Sequence, residues 1–124
     1  MNPRKFLFIA SSVLLMIGSL GISGGLGALS RASFFHPPYW INWVHLGLGT
    51  LTLSVATSGT RKWQAALAFI ATVMGLTLGL LGLLFGSSAA KRFNLPELAD
   101  PSDHIAHLLV GLTALWGWLG RKGK

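Results

Sequence analysis

The sequence predicts an all-α integral membrane protein, a four-transmembrane-helix bundle arranged as two parallel helical-hairpin repeats. Three observations carry this reading. First, 52% of the 124 residues are apolar and only 10% are charged, whereas a soluble domain runs near a quarter charged. Second, the Lys and Arg residues sit in small clusters, and the intervals 6–30, 32–60, 63–90 and 104–120 contain no Lys, Arg, Asp or Glu. A helix rising about 1.5 Å per residue needs roughly 17–25 apolar residues to cross a hydrocarbon core of about 30 Å. All four intervals reach that length. Third, His45-Leu46-x-x-Gly49 recurs as His107-Leu108-x-x-Gly111.

The first span is expected over 6–29, opened by Arg4-Lys5 and carrying Gly21-x-x-x-Gly25. Its basic start, apolar run and small residues at Ala28-Leu29-Ser30 imitate a signal peptide. The uncharged run is longer than a usual signal core, which favours a retained span. The second is expected over 41–58, beyond an extended segment at His36-Pro37-Pro38. The third, over 63–86, follows Arg61-Lys62 and carries Gly75-x-x-x-Gly79 and Gly82-x-x-x-Gly86. The fourth, over 104–120, is completed by Ser102 and Asp103, which suit a helix N-cap just after Pro101. Glycine at these spacings permits close backbone approach, either for packing within the bundle or as a groove for a partner helix, a lipid or a pigment tail.

The duplication pairs residues 1–60 with residues 61–124 inside one four-span domain. Each copy enters and leaves on the same side, so the repeats are parallel, related by an axis along the membrane normal. That side carries Arg4, Lys5, Arg61, Lys62, Arg121, Lys122 and Lys124 and no acid. The opposite side carries Arg31, Lys91 and Arg92 against Glu97, Asp100 and Asp103. Basic residues are retained in the cytoplasm, so both termini are expected there, in a bacterial-type inner or photosynthetic membrane. Tyr39, Trp40, Trp43, Trp63, Trp116 and Trp118 lie near span ends, as an aromatic belt requires. The net charge of +7 therefore reads as a topology signal, with lipid headgroups rather than nucleic acid as its contact.

The four histidines, His36, His45, His104 and His107, all fall toward the outer side. Ionisable residues within a span are costly and usually face the bundle interior or a cavity, which makes His45 and His107 the leading candidates. Each has a glycine at i+4 on the same face, Gly49 and Gly111. Three readings follow. The imidazoles are neutral and hydrogen-bond across the bundle to each other or to Asn42, Thr50, Thr52 or Thr113. Alternatively they ligate a tetrapyrrole, haem or chlorophyll, with Gly49 and Gly111 clearing room for the ring and Arg31, Lys91 or Arg92 meeting its propionates. Or His45, His104 and His107 with Asp100 or Asp103 hold a divalent metal or relay protons. Asp103 also suits the first turn of its helix and is placed to orient His107. The absence of Cys removes disulfide and thiolate chemistry.

No phosphate-cradling loop, nucleophile elbow or intramembrane carboxylate pair is present, so the chain is not expected to be an enzyme. The expected role is a non-catalytic accessory or structural subunit of a larger membrane complex, partnered by the bilayer and by other membrane subunits. The alternative is a tetrapyrrole- or metal-binding membrane protein using His45 and His107. The motifs Asn42-Trp43-Val44-His45-Leu46 with Gly49, and Asp103-His104-Ile105-Ala106-His107-Leu108 with Gly111, resemble a family of small four-span bacterial membrane proteins of unknown function. That family is common in actinobacteria and cyanobacteria. The resemblance implies that Asn42, His45, Asp103 and His107 are the positions to watch.

Overall fold

The computed structural model describes residues 1–25, 39–93 and 101–120. Expectations for Leu29, Arg31, His36, Glu97, Asp100 and residues 121–124 lie outside them. Among the described residues there are four long helices and no strand: α1 Pro3–Ile22, α2 Tyr39–Ser58, α3 Arg61–Phe93 and α4 Pro101–Leu119.

Each boundary has a local cause. Asn2 caps α1 by accepting from the Lys5 amide at 2.8 Å, and Pro3 follows as a first-turn residue with no amide hydrogen to leave unpaired. The helix therefore begins three residues before the expected start. It also ends early, at Ile22, because Ser23 caps it and Gly24 takes a positive φ of 75°, the left-handed turn that closes many helices. An uncharged run does not reveal such a cap. In α3 the opposite happens: the helix continues to Phe93, so Lys91 and Arg92 stand in its last turn rather than in a loop. Cations there complement the negative end of the helix dipole. Pro101 begins α4, which makes Asp103 a first-turn acid and leaves Ser102 inside the helix rather than capping it.

The helices pair most extensively as two antiparallel hairpins, α1 with α2 and α3 with α4. The contacts of one recur in the other. A Cβ added to Gly18 would meet the Asn42 carbonyl oxygen at 2.8 Å, and one added to Gly79 would meet the His104 carbonyl oxygen at 2.8 Å. Leu46 flanks the first contact and Leu108 the second. Gly21 lies under the Asn42 carboxamide and Gly82 under the His104 imidazole, each so closely that a methyl would overlap the polar group. Gly49 lies against Leu15, and Gly111 against Leu76. Thus α1 maps onto α3 and α2 onto α4, contact by contact.

The hairpins meet at the end that holds both chain-entry clusters, Arg4-Lys5 and Arg61-Lys62. The buried apolar cluster there is Phe6, Leu7, Ala56, Ala68 and Ala114, with Met1, Leu67 and Trp118 packed against it. Gly117 admits Phe6 of the other hairpin. The interior is otherwise small or polar, with Ser11, Thr52, Gln64 and Thr72 buried. Thr72 returns its hydroxyl to the Ala68 carbonyl at 2.9 Å and Ser11 to the Phe8 carbonyl at 2.9 Å, so neither leaves a polar group bare. The large apolar side chains point outward instead, Leu84 at 70% exposure and Trp63 at 69% among them.

By length and composition, α1 and the Arg61–Gly86 part of α3 are apolar enough to cross a membrane. Their partners α2 and α4 are 20 and 19 residues long but fall short of that mark, since Asn42, His45, Asp103, His104 and His107 interrupt their apolar runs. Each hairpin thus joins one strongly apolar helix to one whose first turns are polar.

Candidate functional site

The first turns of α2 and α4 carry Asn42, His45, Asp103, His104 and His107, with Gly49 and Gly111 nearer the middle of each helix. On α4, the His107 ring Nδ1 lies 2.8 Å from the Asp103 carbonyl oxygen and 3.6 Å from the Asp103 carboxylate. A carbonyl only accepts, so Nδ1 is the donor in this contact. Asp103 does orient the ring, through its backbone as the nearer contact. About two-fifths of both side chains remain exposed.

On α2, His45 is half-buried and lies close enough to Asp103 and His107 to interact with both electrostatically. His45 is therefore within electrostatic range of Asp103 and His107, a loose neighbourhood across the two hairpins. The Nδ1 atom of His45 is buried and has no hydrogen-bond partner among the described residues. One turn earlier, Asn42 is 3% exposed, and its Oδ1 is likewise buried without a partner. Burying an amide oxygen without a donor costs roughly 1–3 kcal/mol. These two orphaned atoms mark the one place where α2 holds polarity it does not satisfy among the described residues.

His104 does not join that neighbourhood. Its ring is 6% exposed and seated on Gly82 of α3, so it faces the inside of its own hairpin. Among the described residues no three His, Asp or Glu side chains converge as a metal-holding group. Gly49 and Gly111 face inward too. A Cβ on Gly111 would meet the Leu76 amide nitrogen at 2.7 Å, and one on Gly49 would meet Leu15 Cγ at 2.9 Å. The room beside each glycine is taken by the neighbouring helix, so Gly49 and Gly111 serve close helix packing in this arrangement. The hydroxyls of Thr50 and Thr113, weighed above as imidazole partners, turn back to the Leu46 and Leu109 carbonyls at 2.8 Å.

Sequence spacing overlooked two residues. Gln64 is buried at the start of α3, where its Nε2 donates toward the carbonyls of Val55, Ala56 and Gly59 at 3.3, 3.3 and 3.0 Å. It closes the last turn of α2, satisfying carbonyls a helix end leaves open. Gly18 was also unmarked, because its partner on α2 is visible only once the hairpin is folded. No protein-family model, curated protein or solved structure matches this chain.

Proposed function

We propose that the chain is an integral membrane protein of four spans with both ends on the cytoplasmic side, acting as a non-catalytic subunit that packs against other membrane proteins. One observation carries the membrane reading: the surface is more apolar than the interior. Val13, Met16, Leu48, Leu51, Ile70, Leu80, Leu84, Leu109 and Leu112 are all exposed along the four helices, whereas three of the five buried apolar residues are alanines. Water would penalise such a surface heavily, at about 25 cal/mol for each Å² of apolar area. Lipid does not, and in lipid the helices associate through small residues and interhelical polar contacts, which is the packing of both hairpins. Exposed Trp63 and Trp116 at one end and Tyr39, Trp40 and Trp43 at the other support two interfacial belts.

In this reading α2 and α4 cross beside their apolar partners, each seating its buried polar residue on a glycine. The subunit role rests on how the glycines are used. Gly18, Gly21, Gly75, Gly79 and Gly82 are consumed within the hairpins, so a partner would meet the apolar exterior. Carbonate washing of membranes should leave the protein in the pellet. Since the chain has no cysteine, Thr60→Cys and Pro101→Cys can be labelled from one side at a time. Thr60 should react only from the cytoplasm and Pro101 only from outside. Mild-detergent purification should bring a defined partner with it, and a stable lone monomer would count against the subunit role.

A second reading is favoured by one feature, the unpartnered His45 Nδ1 on a residue within electrostatic range of His107. Here the two imidazoles serve a ligand at the outer end, haem, chlorophyll or a divalent ion. The visible spectrum and metal content of purified protein decide it. A colourless, metal-free sample that keeps its helicity eliminates this reading.

A further inference from the structure

At the end opposite the histidines, a half-open cavity of about 900 Å³ lies between the hairpins. Three cations line it, Arg4 from α1 and Arg61 and Lys62 from the start of α3. All three acids of the chain, Glu97, Asp100 and Asp103, belong to the segment around the start of α4. Nothing of opposite charge therefore faces these side chains among the described residues. Helix dipoles do not supply the positive field, because the starts of α1 and α3 and the ends of α2 and α4 share this end and offset one another. The side chains do.

Their setting is ordered. Arg4 Nε donates to the Ala56 carbonyl at 3.1 Å, and its guanidinium carbon lies 5.7 Å from the Phe8 ring centre. These contacts fix the guanidinium plane through one nitrogen, and the two terminal nitrogens bond nothing among the described residues. That outer edge matches the paired oxygens of a phosphate group. The carbonyls at the end of α2, which would repel an anion, are turned onto Arg4 and Gln64. Below the cations the wall becomes apolar, where Phe69 and Trp118 stack with ring centres 5.3 Å apart. Cations above an aromatic floor are what a phosphate attached to an apolar tail requires. A free anion would use only the upper part.

We propose that this cavity binds a phosphate-bearing anion, carried by an anionic phospholipid whose headgroup sits among Arg4, Arg61 and Lys62. The proposal rests on the membrane reading above, and it goes beyond it by naming a site and a ligand class.

The test uses full-length protein in mixed phosphatidylcholine and phosphatidylglycerol nanodiscs, with retained lipid counted by native mass spectrometry. Phosphatidylglycerol should be retained in preference. In Arg61→Gln/Lys62→Gln, whose exposed side chains bond nothing among the described residues, the preference should fall by about fivefold for each charge removed. Adding Arg4→Gln should lower it further, with circular dichroism confirming unchanged helicity. Lys91→Gln/Arg92→Gln, at the far end of α3, should leave the preference intact. Inorganic phosphate separates the sources: lipid that resists displacement assigns the site to a headgroup, and lipid displaced by phosphate assigns it to the free ion. No preference for phosphatidylglycerol, or an undiminished one in Arg61→Gln/Lys62→Gln, overturns the site. If the protein stays in carbonate-washed membranes in that case, only the site falls. Release by the wash removes the membrane reading itself.

Discussion

In the first hairpin the polar side chain seated on a glycine of the apolar helix is Asn42, over Gly21; in the second it is His104, over Gly82. The seat is the same, and an amide and an imidazole both fill it. What the two hairpins share is therefore a steric arrangement, a flat polar group laid on a bare backbone, rather than one chemical identity. They differ two turns further in. Gly75 meets Gly111 backbone to backbone, whereas the α1 position matching Gly75 is Leu14. Gly49 accordingly meets mainly the side chain of Leu15. The second hairpin is held at its crossing by main chain, which cannot yield, and the first by a side chain that can.

Substitutions at the two crossings should separate the hairpins most widely. Gly111→Ala sets a methyl against the Leu76 amide and the Gly75 carbonyl carbon, and should cost about 3 kcal/mol, at the upper end for overpacking. Gly49→Ala should cost about 1 kcal/mol, since Leu15 can shift its rotamer. Thermal unfolding in detergent measures both, and equal losses would erase the distinction. The link between hairpins is the next target. Gln64→Leu leaves the Gly59 carbonyl without its side-chain donor and the Ala56 carbonyl with Arg4 alone, and should cost about 1–2 kcal/mol, while α1–α2 cross-linking through introduced cysteines persists.

The smallest contrast lies at the seats themselves. Asn42→Leu removes an oxygen with no donor among the described residues, so its unfolding midpoint should hold or rise relative to the parent. His104→Leu discards a partnered group and should lose about 1 kcal/mol. A clear loss from Asn42→Leu would mean that its Oδ1 has a donor in the working protein.

Charge spacing located the helices well and their ends poorly, for one reason: charges mark where a run is interrupted, and caps mark where a helix stops. The stop at Ser23 and Gly24 lies inside an uncharged run, and the continuation of α3 carries Lys91 and Arg92 past the expected boundary. The histidine–glycine spacing was visible along α2 and α4, since both members lie on one helix. What Gly49 and Gly111 face was not, because Leu15 and Leu76 come from other helices. The same limit hid Gly18 altogether and left Gly79 as a close-approach glycine without its partner, since these roles depend on Asn42 and His104 across each hairpin. Asp103 as a first-turn acid beside His107 was readable, being a matter of four residues along one helix.

The bond from Arg4 to the Ala56 carbonyl joins residues 52 apart. Arg4 and its acceptor are separated by almost the whole of the first hairpin, so the bond exists only when the start of α1 and the end of α2 are brought together. Until then the guanidinium must keep other polar partners, because a bare charge is costly to bury. When the second helix arrives, the same group closes onto its end. A single contact in the finished protein thus closes the first hairpin at the end where the chain turns toward Arg61 and Lys62.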